Sequence, residues 1–351
     1  MFYKNITFGL SKKNQSMQRR FIDYLIISFK GIAMGAADAV PGVSGGTIAF
    51  ISGIYEELIT TISNVNLNTL KVLKTEGINA FWKKINGNFL LALLIGMIIS
   101  FASFMKLAKY LIEQHPILIW SFFFGLIIAS ILFIGKQITK WNLATILAVI
   151  FGAVLAYYIT SLPSMASNNN PYFLFIAGAI AICAMILPGI SGSFILVILG
   201  AYKTLSNAID SLDIKKIAIF VLGAIVGLLS FSRVLKWLFK HYHNITLAVL
   251  TGFIFGSLNK IWPWKKTITV MSDATGDVIP FANITNLGTL SVYQKTIQDF
   301  ESYKTIVEKS ILPSSFTELN LIDAQVLIAI ALMVIGFLTI FILEKIGNKV
   351  H

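Results

Sequence analysis

Charged residues are scarce in this chain, and cysteine is almost absent. Only 13% of the 351 residues are Asp, Glu, Lys or Arg, whereas 56% are hydrophobic and the mean hydropathy is +0.79. Because a water-soluble domain needs a larger polar surface, this composition predicts a protein embedded in a membrane. The single cysteine, Cys183, excludes an intramolecular disulfide and a metal site built on several thiolates. We therefore predict no metal site.

The net charge of +12 does not indicate nucleic-acid binding. The lysines lie between apolar stretches and near the chain ends, as do the charges that orient membrane helices. They form no cluster that could follow a nucleic-acid groove. Histidine is rare, with four residues, and the G-x-S-x-G and H-E-x-x-H motifs are absent. We predict no enzyme activity and no cofactor, with an enzyme acting on membrane lipid phosphates as the alternative from a different class.

A short phrase occurs twice in the chain. Residues 41–46, Pro-Gly-Val-Ser-Gly-Gly, correspond to residues 188–193, Pro-Gly-Ile-Ser-Gly-Ser, and each copy lies inside an apolar stretch. A Pro-Gly break at membrane depth leaves backbone polar groups that only surrounding protein or a water-filled cavity can satisfy. Paired breaks in the two halves of a polytopic protein therefore indicate a transport site.

Apolar runs of helix length fall into two sets of five, and Gly96 and Gly125 match Gly223 and Gly252 at one constant offset. In each set, charge or the break shortens the first two runs, which we interpret as a re-entrant hairpin followed by three transmembrane helices. We predict an all-α polytopic membrane protein made of two inverted repeats. The predicted segments are a tail at 1–20, repeat one at 21–162, a linker at 163–171, and repeat two at 172–345 with an extracellular insertion at 263–320.

The distribution of charge predicts the orientation. Residues 1–20 and 63–88 are rich in Lys and Arg, whereas the linker at 163–171 contains no charged residue. Because positive charge marks the cytoplasmic side, we place both termini in the cytoplasm and the insertion outside. Residues 64–86 have an apolar face opposite several lysines, which predicts an amphipathic helix on the inner surface. Within the insertion, Tyr293 to Glu308 is a candidate helix.

The two phrases can form an anion site. The helix after each break presents free N–H groups and a positive dipole end, and the hydroxyl groups add further donors. The alternative is that these glycines only allow close helix packing. The candidate substrate-binding residues of the phrases are Pro41, Gly42, Ser44, Gly45, Gly46, Thr47, Pro188, Gly189, Ser191, Gly192 and Ser193.

Four charged residues complete the predicted site. Arg233 and its repeat counterpart Lys106 could attract a phosphate at either face, or could simply anchor helix ends at the membrane surface. Carboxylates inside a membrane are costly, so Glu56 and Asp38 are candidates for coupling to protons or sodium. Asp38 could instead cap the helix that follows the break.

Two stretches resemble the paired signatures of the PopT polyprenyl-phosphate transporters. They are residues 35–47 followed by Gly-Ile-Tyr-Glu at 53–56, and residues 187–193 followed by Gly-Ala-Tyr at 200–202. The resemblance covers nearly the whole chain and is weakest at 1–20 and 263–320. It implies a flippase that returns polyprenyl (undecaprenyl) phosphate across the cytoplasmic membrane, recycling the carrier lipid of cell-envelope synthesis. Proton or sodium would be the coupling ion, and a homo-oligomer is compatible with this function. The residues alone leave open an ion-coupled symporter of a small anion.

Overall fold

The computed structural model describes residues 19–38, 44–162, 170–272, 277–284, 303–320 and 322–347. Within these ranges the protein is mostly helical, with one small β-sheet. The described residues of the first half, up to Ser161, form helices α1 Phe21–Asp38, α2 Gly45–Ile51, α3 Tyr55–Ser63, α4 Leu67–Thr75, α5 Gly77–Lys84, α6 Gly87–Gln114, α7 Pro116–Gly135 and α8 Leu143–Ser161.

The described residues of the second half begin with helices and then form the sheet. The helices are α9 Pro171–Ile186, α10 Gly192–Ile198, α11 Tyr202–Asp210, α12 Ile214–His241, α13 His243–Gly256 and α14 Leu258–Ile261. The strands are β1 Lys265–Ser272, β2 Val278–Pro280 and β3 Tyr303–Ser310, and they are followed by α15 Pro313–Asn320 and α16 Val326–Gly347.

Several helices are suited to a membrane by their length and composition. Among the described residues, four helical segments could cross a bilayer: α7, α8, α12 and the stretch His243–Ile261. A fifth candidate is the pair Gly77–Lys84 and Gly87–Ser100, which is bent by 70°. Helix α16 is apolar over Val326–Phe341. The chain is thus a multi-pass membrane protein.

The helices stop at both Pro-Gly phrases. Helix α1 ends before the first phrase and α2 begins within it, and α9 and α10 flank the second phrase in the same way. Each apolar run after a phrase, predicted as one helix, is interrupted once more. Gly53 (φ 73°) separates α2 from α3, and Gly200 (φ 68°) separates α10 from α11. A side chain at these left-handed positions would be strained, so glycine is favoured there.

Close helix pairs occur within and between the halves. Helix α1 packs along α6 and α9 along α12, whereas α7 packs on α16 and α13 on α8. A methyl group on Gly125 would clash with the Met333 carbonyl oxygen, and one on Gly252 would clash with that of Val149. Glycine at these positions lets the backbones approach closely. Each half therefore supplies packing partners to the other.

The sheet corrects the all-α prediction. Its strands are antiparallel in the order β2-β1-β3. Strand β3 occupies residues 303–310, so the helix expected from Tyr293 to Glu308 is wrong over 303–308, and its remainder lies outside the described residues. The β-branched residues Thr305, Ile306 and Val307 favour a strand here. The predicted amphipathic segment at 64–86 consists of two helices, α4 and α5.

Two tryptophans join the sheet region to the helices. The Trp264 Nε1–H group donates a hydrogen bond to the Ala324 carbonyl at 2.9 Å, and that of Trp262 donates to the Ile311 carbonyl at 2.9 Å. Trp264 also packs with Ile117, near the start of α7. The insertion is therefore docked on one end of the helical part.

Candidate functional site

The second Pro-Gly break lies against the start of α2, at the end of the first phrase. The Gly189 N–H group donates a hydrogen bond to the Thr47 hydroxyl at 3.0 Å, which joins the second break to α2. The Ser44 hydroxyl lies 3.4 Å from the Met185 carbonyl oxygen and 3.5 Å from that of Leu187. The sequence placed these residues in two distant apolar runs, and the fold brings them together.

The first phrase is closed by its own contacts. The Gly45 N–H group donates to Asp38 Oδ1 at 2.7 Å, and the Gly46 N–H group donates to the Ser44 hydroxyl at 3.1 Å. The residues Ser44 and Thr47 are 2% and 0% exposed. These donors and hydroxyls, predicted for an anion, are therefore engaged with protein groups in this structure. Asp38 makes the capping contact that was its alternative role. The first three residues of this phrase, Pro41, Gly42 and Val43, lie outside the described residues.

The second phrase is more open. The Ser191 and Ser193 hydroxyl groups are 2.9 Å apart, with Ser191 half-buried and Ser193 exposed. By contrast, Pro188, Gly189 and Gly192 are buried. Of the phrase hydroxyls in the described part of the chain, those of the second copy are therefore the ones that a ligand can reach.

Arg233 lies beside the connection between α3 and α4, away from the described residues of the two phrases. Its Nη2 atom donates to the Val65 carbonyl at 3.1 Å, and the neighbouring Lys236 Nζ donates to Asn64 Oδ1 at 3.0 Å. Helix α3, with nine residues, spans about 13 Å between these contacts and the Gly53 turn. Both contacts are made to the short connection between α3 and α4. The Lys106 side chain lies outside the described residues.

Neighbouring carboxylates on α3 have different partners. Glu56 Oε1 lies 3.8 Å from His243 Nδ1, and both side chains are about half exposed. Glu57, the neighbour of the coupling candidate Glu56, accepts hydrogen bonds from Arg19 and Asn86, each at 2.8 Å. The hydrogen bond to Glu57 raises the pKa of the Arg19 guanidinium above its ordinary value. Glu57 therefore ties the start of α1 to α3 and to the start of α6.

Lys30 is a further polar contact that the sequence did not predict. Its Nζ donates to the Ser52 carbonyl at 2.8 Å, at the turn between α2 and α3. The available signal was a lysine inside the apolar run of α1, where an ionisable group usually has a specific partner. Among the described residues, no group of three or more His, Cys, Asp or Glu side chains could hold a metal ion.

A basic cluster of Lys260, Lys265 and Glu308 lies beside α10, the helix that begins within the second phrase. The Lys260 and Lys265 ammonium groups lie 3.6 and 3.4 Å from the same Glu308 oxygen, Oε2. Lys260 also lies 4.7 Å from the centroid of the Phe194 ring, and Lys265 lies 4.1 Å from that of Trp120. The sequence signal was visible, but the lysines before and within the insertion had been interpreted only as charges that orient the chain.

Burial and charge affect the pKa values of this cluster in different ways. Burial lowers the pKa of Lys265 below its ordinary value, although Glu308 opposes this effect. For Glu308, burial alone would raise the pKa, but the attraction of Lys265 and Lys260 outweighs it and the net pKa is lowered. Glu308 therefore remains ionised, and its charge is shared by two cations.

Comparisons with known proteins agree on one family. A family model described as undecaprenyl phosphate translocase-like matches residues 34–279, which include both Pro-Gly phrases. A polyprenyl-phosphate transporter of Vibrio cholerae serotype O1 is 40% identical over 333 residues, covering 95% of this chain and 100% of the relative. A polyprenyl-phosphate transporter of Staphylococcus aureus is 34% identical over 260 residues, covering 69% of this chain and 87% of the relative. No solved structure matches the chain. The chain belongs to the undecaprenyl phosphate translocase-like family.

Proposed function

We propose that this protein transports a polyprenyl phosphate from the outer to the inner leaflet of the cytoplasmic membrane and so recycles the carrier lipid of cell-envelope synthesis. Family membership and the two relatives named as polyprenyl-phosphate transporters support this substrate. The observation that carries the proposal is the contact between the two helix breaks, in which the Gly189 N–H group binds the Thr47 hydroxyl. Paired breaks of this kind are the structural basis of transport sites in other polytopic proteins.

The substrate has two parts that require opposite environments, one polar and one apolar. Its phosphate requires donors and positive charge, whereas its polyprenyl chain can stay in the bilayer. The Ser191 and Ser193 hydroxyls, 2.9 Å apart, are accessible donors for the phosphate, and hydrogen bonds to such an anion are stronger than neutral ones. The exposed Arg233 would attract the phosphate at the inner face, where its hydrogen bond to the Val65 carbonyl can be exchanged for the anion. Its repeat counterpart Lys106 would serve the opposite face.

We propose that the two halves are inverted repeats, each with a re-entrant hairpin. The matched pairs α1 with α6 and α9 with α12 support this proposal, as do the reciprocal pairs α7 with α16 and α13 with α8. The left-handed glycines Gly53 and Gly200, at matched places, add to the correspondence. With three crossings per half and the basic N-terminal residues inside, both termini are cytoplasmic.

Coupling to a proton or sodium gradient is part of the proposal. Asp38 holds the first N–H group of α2, and protonation would weaken the charge-assisted hydrogen bond to Gly45. An ion that binds Asp38 would thereby change the first hairpin directly. Glu56, half exposed beside His243, is the second coupling candidate.

The test is transport in proteoliposomes with labelled undecaprenyl phosphate under an imposed proton or sodium gradient. We expect the unaltered protein to move the lipid and the variant Ser191→Ala/Ser193→Ala to be at least about tenfold slower, since hydrogen bonds to charged groups contribute about 1.5–3 kcal/mol. Ser211→Ala, at an exposed hydroxyl after α11, should transport normally.

Three results would count against the proposal. If the unaltered protein does not move the lipid, undecaprenyl phosphate is not its substrate. Uptake of inorganic phosphate without lipid movement would favour a small-anion symporter, and release of inorganic phosphate from the lipid would indicate an enzyme. Equal rates for the double variant and Ser211→Ala would remove the second phrase from the site.

A further inference from the structure

The cluster beside the second hairpin has unbalanced charge. Among the residues that the structure describes, Lys260 and Lys265 share one carboxylate oxygen of Glu308, so two cations face a single anion. The side chains are 21%, 4% and 13% exposed for Lys260, Lys265 and Glu308. Excess charge in so little water is costly unless another anion compensates it. The described part of the cluster therefore carries a net positive charge that favours an anion.

Lys260 is the member of the cluster that can reach a ligand. Lys265 is enclosed between Glu308 and the Trp120 ring, and it is almost inaccessible. Lys260 retains access, and its ammonium group lies over the ring of Phe194, the residue that follows the exposed Ser193. Lysine is a compact, flexible point charge that can exchange one oxygen partner for another.

Backbone packing fixes Lys260 beside the break. A methyl group on Gly189 would lie 2.9 Å from the Ser257 hydroxyl, so the second Pro-Gly break lies directly against the junction of α13 and α14. Lys260 follows Ser257 by one helical turn, and its N–H group donates to the Ser257 carbonyl at 2.9 Å. The same short segment thus contacts the break and carries the ammonium group.

The first half has no counterpart of this arrangement. At the constant offset that matches Gly125 with Gly252, the residue corresponding to Lys260 is Phe133. In the first phrase, Gly46 stands where the second has Ser193. The charge of Lys260 and the hydroxyl of Ser193 therefore occur only in the second half, and both lie at the second phrase, which is the more open one.

From these contacts we infer that Lys260 forms a phosphate-binding subsite with the Ser191 and Ser193 hydroxyls, whereas Lys265 and Glu308 hold it in position. The ligand is a phosphate monoester, which in the proposed function is the head group of the lipid, so this inference rests on that function. On binding, the Lys260 ammonium exchanges Glu308 for a phosphate oxygen, and Lys265 keeps Glu308 neutralised. The second hairpin then captures the phosphate first. In the proposed orientation this hairpin lies on the outer side of the membrane.

The test measures binding to the full-length purified protein in detergent, by the shift of its melting temperature with undecaprenyl phosphate, undecaprenol or inorganic phosphate. We expect stabilisation by undecaprenyl phosphate and not by undecaprenol. Lys260→Gln should weaken the apparent affinity about tenfold, and Lys260→Arg should retain it within about threefold, because the charge is kept. Lys266→Gln, which removes an exposed lysine of β1, is the matched control and should bind normally.

The outcomes separate the two proposals. If the unaltered protein binds undecaprenyl phosphate no better than undecaprenol, the proposed function fails together with the subsite. If it binds and Lys260→Gln binds equally well, the subsite alone is wrong. An equal loss in Lys260→Arg and Lys260→Gln would also overturn the role of charge. Stabilisation by inorganic phosphate that disappears in Lys260→Gln would support the subsite and assign it to free phosphate, against the lipid source.

Discussion

The Gly189 N–H group and the Thr47 hydroxyl, 3.0 Å apart, connect the two halves of the protein at their helix breaks. Thr47 is 0% exposed, so this hydrogen bond is sealed from water. Loss of its acceptor would leave a buried N–H group unsatisfied. This contact thus links α2 to the second phrase.

Thr47→Val tests this link. The substitution keeps the volume of the side chain but removes the acceptor, and we expect a loss of about 1–3 kcal/mol in stability. Thr47→Ser, which keeps the hydroxyl, should be less affected. The measurement is thermal unfolding in detergent, followed by tryptophan fluorescence. If Thr47→Val has the same melting temperature as the unaltered protein, the hydrogen bond between Gly189 and Thr47 does not stabilise the fold.

Gly125→Ala should separate α7 from α16. An added methyl group would meet the Met333 backbone carbonyl, which cannot rotate away as a side chain could. We expect a destabilisation of about 1–3 kcal/mol, typical of overpacking. Gly135→Ala, in the same helix, is the control, since its methyl group would meet only the Trp141 ring at 4.0 Å. Similar melting temperatures for the two variants would argue against close packing at Gly125.

The two phrases should differ in their reactivity. In a Cys183→Ala background, Ser193→Cys is expected to react readily with a maleimide in detergent, whereas Ser44→Cys, at a position 2% exposed, should be protected. Labelling is measured by the mass increase of the intact protein. Both cysteines should react after denaturation, which controls for the reagent. Equal labelling rates in the folded protein would be incompatible with a closed first phrase and an open second one.

Acid should weaken the attachment of the sheet. The pKa of Glu308 is lowered because Lys265 and Lys260 outweigh the effect of burial. Its stabilising contribution is therefore present above the ordinary glutamate pKa of about 4.3 and is lost as the pH falls through the lower folded-state value. At pH 7, Glu308→Gln should have a lower melting temperature than the unaltered protein. This difference should become smaller below about pH 4.

Glu318→Gln, at an exposed carboxylate of α15, is the control for that experiment and should leave the melting temperature nearly unchanged. If the difference in melting temperature between Glu308→Gln and the unaltered protein stays constant down to pH 3, the charge of Glu308 is not the cause of that difference.

Sequence patterns predicted the features that depend on local backbone chemistry. Proline and glycine cannot continue a membrane helix without compensation, so the repeated phrases marked where α1 and α9 end. The matched Gly125 and Gly252 lie in α7 and α13, and both glycines are at close helix contacts. The turns at Gly53 and Gly200 could have been predicted too, since both residues stood at matched places in the repeat.

Other features depend on tertiary contacts and were not predictable. Neighbouring carboxylates point in directions about 100° apart on a helix, so the sequence could not tell that Glu57, and not Glu56, would bind Arg19. The different exposure of Ser44 and Ser193 depends on which hairpin buries the other. Strand β3 forms because β1 offers a pairing partner, and propensity alone did not settle its structure.

The exchange of helices between the halves has a consequence for biosynthesis. Helix α7 packs on α16, yet α16 is synthesised only after the other described elements of the second half. The surface of α7 around Gly125 therefore lacks this partner until α16 is inserted. Packing of the native protein is for this reason completed late, after translation has passed both phrases, and a chain truncated before α16 would leave α7 without this neighbour.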